Sequence, residues 1–203
     1  VPQPEQQPDV QPHSVQPVSV RADSDRADSD RAGSVRLDQR PAAPRQRSYQ
    51  WEDPSVSGSA ARTLAGADFF GAIMDGTLPP PPIASTLDFT LVSVTPGRAV
   101  FEFTPSEFHY NPIGSVHGGV VATMCDSACA CAVHSLLPAG TYYTSQDLSV
   151  KFLRPVTAST GPLRSEGTVI HLGSRTALAQ ATLTDGDGKA YAHATSSCLI
   201  FRP

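Results

Sequence analysis

The chain has 203 residues, with 15 basic and 19 acidic side chains and a formal net charge of −4. That balance gives no general attraction to nucleic acid or to an anionic membrane, so neither is expected as a partner. No apolar run reaches the length of a membrane span. The four cysteines, Cys125, Cys129, Cys131 and Cys198, form no framework of spaced pairs. Reduced thiols in a cytoplasmic protein are therefore expected.

Residues 1–59 read as a disordered, low-complexity tail. Up to Gln50, Pro, Gln, Ser, Asp and Arg dominate, and Leu37 is the one large aliphatic residue besides valine. Such a segment buries too little apolar surface to offset its ordering entropy. A pentad, Ala22-Asp-Ser-Asp-Arg26, repeats as Ala27-Asp-Ser-Asp-Arg31 and then decays to Ala32-Gly-Ser-Val-Arg36. Five residues match no solenoid unit, and the interleaved Asp and Arg argue against a basic arm.

Residues 60–203 are long enough for one domain. Leu64, Phe69, Phe70 and Ile73 predict a short amphipathic helix from Ala61 to Met74, followed by a stiff polyproline connector at Pro79–Pro82. Alternation at Leu87, Phe89 and Leu91, then at Ala99, Phe101 and Phe103, predicts a hairpin turning at Pro96-Gly97. Val116 to about Leu137 is the long helical candidate, nearly uncharged on every side and so expected to be buried. Strands are predicted over Tyr142–Leu153, Gly161–His171, Arg175–Thr184 and Lys189–Phe201, separated by turn signals. An antiparallel sheet wrapped around one long central helix satisfies this order, an α+β fold.

The chemistry concentrates at Asn111-Pro-Ile-Gly-Ser-Val-His117-Gly118-Gly119 and the helix it opens. Free N–H groups at a helix start can hold an anion or polarise a carbonyl, and Gly118 is placed to do so. Asp126 is a lone carboxylate among Ala122, Cys125, Ala128, Cys129, Ala130 and Cys131. A charge in such a setting points to a site, because burying it unpaired is costly. Together these suggest acyl transfer to water. Eight residues along a helix separate Gly118 from Asp126 by about 12 Å, too far for one small acyl carbon to touch both. If both act on one substrate, the carboxylate comes from a second copy of the chain, and a dimer with shared active sites follows.

Asn111 and His117 are expected to order the reacting group, although Asn before Pro is also ordinary turn chemistry. Ser145, in the following strand, is expected to hydrogen-bond a nucleophilic water. The helix cysteines match no zinc spacing and read as small apolar residues, so no metal site is expected. His117-Gly-Gly also suits an esterase oxyanion loop, but the chain has no Gly-x-Ser-x-Gly elbow. Phosphate-binding and dinucleotide fingerprints are missing as well.

Asn111-Pro112, Gly114, Val116-His117-Gly118-Gly119, Asp126-x-Ala128 and Lys151-Phe-Leu-Arg-Pro-Val156 closely resemble the PaaI-type hotdog-fold acyl-CoA thioesterases. The likeness runs from about Leu78 to Phe201. It implies a hotdog fold, a homodimer often paired into a tetramer, and hydrolysis of an aryl- or medium-chain acyl-CoA without cofactor. It places the family's helix-start glycine on Gly118, the catalytic carboxylate on Asp126, and the accessory residues on Asn111, His117 and Ser145. Gly119 joins the substrate-binding set. Among the cations near strand ends, Lys151, Arg154, Arg164 and Arg175, the preferred anchors for the coenzyme A phosphates are Arg154 and Lys151. Two other readings are a non-catalytic acyl-CoA-binding hotdog domain serving as a metabolite sensor, and a hotdog hydratase. The carboxylate argues against the first, and the motif spacing against the second.

Overall fold

In the computed structural model, which describes residues 43–202, seven antiparallel strands and one long helix carry the architecture. The expected tail therefore lies, up to residue 42, outside the described residues. Residues from Arg47 onward form one compact unit. Arg47 donates to the carbonyls of Thr86 and Ser85 at 2.7 and 2.8 Å, and its guanidinium sits over Phe108, 4.1 Å from the ring centroid.

Three short helices precede the sheet: α1 (Pro54–Thr63), α2 (Gly66–Met74) and α3 (Pro82–Leu87). The boundary expected at residue 60 falls inside α1, which Asp53 caps by accepting from the Ser55 N–H at 2.9 Å. The single helix expected over 61–74 is two, because Leu64 and Ala65 adopt extended backbone angles. The expected polyproline connector ends in a helix: Pro82 occupies the first turn of α3, where its missing N–H costs nothing. Asp88, in the left-handed region at φ 57°, terminates α3 and delays the first strand to Phe89.

The expected hairpin is present as β1 (Phe89–Thr95) and β2 (Arg98–Phe103), with Gly97 at φ +78° in its turn. Next come α4 (Gly118–His134), β3 (Tyr142–Ser145), β4 (Ser149–Phe152), β5 (Leu163–Leu172), β6 (Thr176–Thr184) and β7 (Ala190–Phe201). The sheet order is β1-β2-β5-β6-β7-β3, and β4 also pairs with β7. The strand expected over 142–153 is thus two, lying end to end along β7. Asp147 makes the break: it accepts from the Ser197 N–H and hydroxyl, while its own carbonyl accepts from Ser196 Oγ at 2.8 Å.

The sheet wraps α4, the hotdog arrangement. Small residues allow the close approach. On the inner face Ala177, Ala179 and Ala181 of β6 and Ala192 and Ala194 of β7 are buried against the helix. At Gly167 of β5 an added Cβ would lie 2.1 Å from the Ala128 carbonyl oxygen. Gly167→Ala should therefore push helix and strand apart at a cost of about 1–3 kcal/mol, the usual range for overpacking. A calorimetric midpoint lower by roughly 3–10 °C is expected, and an unchanged midpoint would contradict the close approach.

Contrary to expectation, α4 is not enclosed on every side. Within the single chain, Gly119, Ala122, Thr123, Asp126 and Ser127 form a less covered stripe at helical spacing. The other flank is fully packed, with Met124, Cys125, Ala128, Cys129 and Val133 at 0% exposure. No helix among the described residues is long and apolar enough to cross a membrane.

Candidate active site

Both ends of α4 are fixed by bonds to distant segments. At the N-terminal end, the Val116 N–H donates to the Val156 carbonyl and the His117 N–H to the His109 carbonyl, each at 2.8 Å. At the C-terminal end, Ser135 Oγ accepts from the Gly97 N–H at 2.8 Å, tying the helix to the β1–β2 turn. The chain between these clamps carries its functional groups at set positions on a rigid element.

His117 is the N-cap of α4. Its Nδ1 accepts from the Gly119 N–H at 2.9 Å, which places the proton of a neutral imidazole on Nε2. The Gly119 donor is thereby used within the helix cap. Gly118 differs, since no described residue accepts from its N–H. Its Cα faces Phe152: a Cβ there would lie 3.1 Å from the ring tip. The helix start thus offers one free donor beside an exposed aromatic ring.

Asn111 organises the loop that feeds this helix start. Its Oδ1 accepts from the Ile113 N–H at 3.0 Å, its Nδ2 donates to Ser115 Oγ at 3.1 Å, and its backbone N–H donates to the Ser115 carbonyl at 2.8 Å. In the single chain these bonds occupy the side chain in turn chemistry. Gly114, at φ +82°, completes the loop.

Asp126 lies two turns along α4 and is half-buried. It is not solitary: Ser145 Oγ donates to its Oδ1 at 3.0 Å. Sequence reasoning placed Ser145 near a water; the structure places it on the carboxylate itself. Asp126 and Ser145 line a cavity of about 720 Å³, together with Ala130 and His134 of α4, Tyr143 of β3 and Arg62 of α1. Arg62 makes no hydrogen bond or ion pair with a described residue, and sequence reasoning missed it.

Arg154 and Gly118 line a second cavity, of about 350 Å³, with Phe152 and Tyr191. One Arg154 nitrogen donates to the Ala190 carbonyl. Of the other cations near strand ends, Arg164 is paired with Glu102 at 2.8 Å. Lys151 and Arg175 make no such pair among the described residues.

The helix cysteines pack as small apolar groups. Burial pushes the Cys125 thiol up to about 11 and the Cys129 thiol to about 12. Both stay protonated at neutral pH and are poor nucleophiles or ligands. The geometry therefore concentrates chemistry on a free helix-start donor, a serine-held carboxylate and two cavities. Such an arrangement can polarise a carbonyl and deliver a nucleophile to it.

Residues 113–192 match the family described as the thioesterase superfamily. Over 116 residues the chain is 32% identical to a Saccharolobus solfataricus protein described as an esterase, a match covering 57% of this chain and 81% of that protein. It is 35% identical over 66 residues to human acyl-coenzyme A thioesterase 13, covering 32% of this chain and 46% of that enzyme. Among solved structures, a Ralstonia eutropha protein described as a thioesterase related to phenylacetic acid degradation superposes with a TM-score of 0.59 at 30% identity. That likeness covers 64% of this chain and 98% of the other.

Proposed function

Because this chain belongs to the thioesterase superfamily, we propose that it hydrolyses acyl-coenzyme A thioesters to a free acid and coenzyme A. The observation that carries this reading is the Ser145-held carboxylate of Asp126 opening on a cavity, with an unused N–H at the start of the same helix. The two groups stand about 12 Å apart along the helix. One site therefore combines Gly118 of one subunit with Asp126 of the partner subunit, in a homodimer that can pair further into a tetramer. The less covered stripe of α4, which includes Asp126, supports such a partner.

In this site the Gly118 N–H donates to the thioester carbonyl oxygen, with the His117 Nε2–H as a second donor. Asn111 holds the loop that sets both. Asp126 of the partner subunit either attacks the carbonyl carbon or takes a proton from an attacking water. The C–S bond then breaks and the sulfur leaves as thiolate. On the direct route, water afterwards cleaves the enzyme–acyl anhydride. Ser145 holds Oδ1, leaving Oδ2 for the reaction.

The acyl group, aryl or medium-chain, occupies the cavity of about 720 Å³, and coenzyme A lies along the smaller cavity with Gly118 and Arg154. Lys151 and Arg154 then meet its phosphates. Arg154→Ala should raise KM about tenfold with little change in kcat, and the effect should shrink at high salt. An unchanged KM would remove Arg154 from the nucleotide site. All four cysteines are free thiols, which suits a cytoplasmic enzyme.

The decisive test is release of free thiol from a panel of aryl- and straight-chain acyl-CoAs by the full chain. Turnover of at least one class supports the reading. Tight binding of acyl-CoA without thiol release would instead make the protein a metabolite sensor.

A further inference from the structure

Beneath α2 and α3 lies a chamber of about 510 Å³ that the proposed reaction leaves unused. Phe70, Ile73 and Met74 of α2, Ala84 of α3, Leu91 of β1 and Phe101 of β2 line it. Its size and apolar walls are those of a small-molecule site. The exposed Asp88 and Thr90 also line it. α2 and α3 lie outside residues 113–192, the part of the chain that matches the superfamily.

The chamber and the Asp126 cavity have a wall in common, made of Phe69, His134 and Tyr143. The His134 ring centroid is 5.4 Å from that of Phe69 and 5.2 Å from that of Tyr143. No hydrogen bond pins either the His134 imidazole or the Tyr143 hydroxyl to another described residue. Apolar packing, including the Phe70 ring 5.2 Å from that of His134, holds the wall, so these rings can turn aside without breaking a polar bond. Burial disfavours the charged form of His134, and a neutral ring suits an apolar passage.

Helix geometry supplies the length scale. Asp126, Ala130 and His134 follow one another at four-residue spacing along the cavity floor, so carboxylate and wall are about 12 Å apart. An extended chain advances about 1.2 Å per bond, so about ten carbons are needed to span that distance.

We propose that Phe69, His134 and Tyr143 form a gate through which acyl tails longer than about ten carbons enter the chamber under α2 and α3, making long-chain acyl thioesters substrates of this protein. The proposal rests on the thioesterase reading above. Shorter acyl groups end in the first cavity; longer ones bury each further methylene in the chamber.

The test measures kcat/KM for straight-chain acyl-CoAs from four to sixteen carbons, and in parallel the affinity of non-hydrolysable S-alkyl-CoAs of the same lengths by calorimetry. Affinity should keep rising beyond ten carbons, by up to about three- to fourfold per methylene. In Ile73→Trp and Ala84→Phe, which fill the chamber, the rise should stop near ten carbons. The ratio of sixteen-carbon to six-carbon affinity should then fall at least tenfold, with thermal melting used to check folding. No gain beyond ten carbons in the native protein, or the same ratio in a folded filled variant, would overturn the gate and chamber. If no acyl-CoA of any length is hydrolysed, the thioesterase reading fails, and the S-alkyl-CoA series still decides the chamber by the same criterion.

Discussion

Asp126→Asn should lower kcat for acyl-CoA by a hundredfold or more, while the melting temperature and the oligomeric state stay as in the native protein. The amide oxygen of asparagine can still accept the Ser145 hydroxyl, so the 3.0 Å contact that ties α4 to β3 survives the change. Volume and shape are nearly conserved in a half-buried site, so packing changes little. What disappears is the negative charge, which both routes require: an amide neither attacks a thioester nor takes a proton from water. Stopped-time assays of thiol release, alongside gel filtration and thermal melting, separate the chemical loss from a structural one. Turnover within a few-fold of native in a folded variant would remove Asp126 from the reaction.

The sequence revealed most where a single residue type can satisfy a local demand. The stretch from Val116 to Leu137 is uncharged apart from Asp126, and it became α4 with its small residues against the sheet. The Pro96-Gly97 turn and the flanking alternation became the β1–β2 hairpin, because the positive φ at Gly97 and the inward Phe89, Phe101 and Phe103 agree. The N-cap role of His117 was legible in principle, since it immediately precedes a Gly-Gly helix start.

Other features depend on partners far along the chain. Nothing local separates β3 from β4, as Tyr142–Leu153 reads as one strand; Asp147 imposes the break through Ser196 and Ser197, some fifty residues away. The Ser145–Asp126 pair is likewise tertiary, joining a strand serine to a helix acid. α1 has a weak pattern of Ser, Ala and Gly, and its Asp53 cap lay within what composition assigned to the tail. Arg62 fell inside the helix expected over 61–74, and only the tertiary fold brings it to the cavity of Asp126. α3 was hidden by its own prolines, which fit a polyproline connector as well as a helix's first turn.

The proposed division of the site between two subunits makes the second large prediction. Gly118→Pro removes one N–H from the helix start with little structural cost. Proline is well tolerated at the first helical position, and His117 already has the extended conformation, φ −61° and ψ 135°, that a following proline demands. No intrachain hydrogen bond is lost, because no described residue accepts from that N–H. The nearest neighbour of the added Cβ would be the tip of the exposed Phe152 side chain, 3.1 Å away, which can move. Losing such a donor should cost a hundredfold or more in kcat. Gly118→Pro and Asp126→Asn homodimers should therefore both be nearly inactive. A heterodimer of the two pairs native Gly118 from one chain with native Asp126 from the other, restoring one site of its two. Heterodimers purified through two different affinity tags should recover about half the native kcat per dimer. Recovery cannot occur if each site draws Gly118 and Asp126 from the same chain, since neither chain carries both. Pure heterodimers as inactive as their parents would thus show that the carbonyl donor and the carboxylate are not shared across the interface.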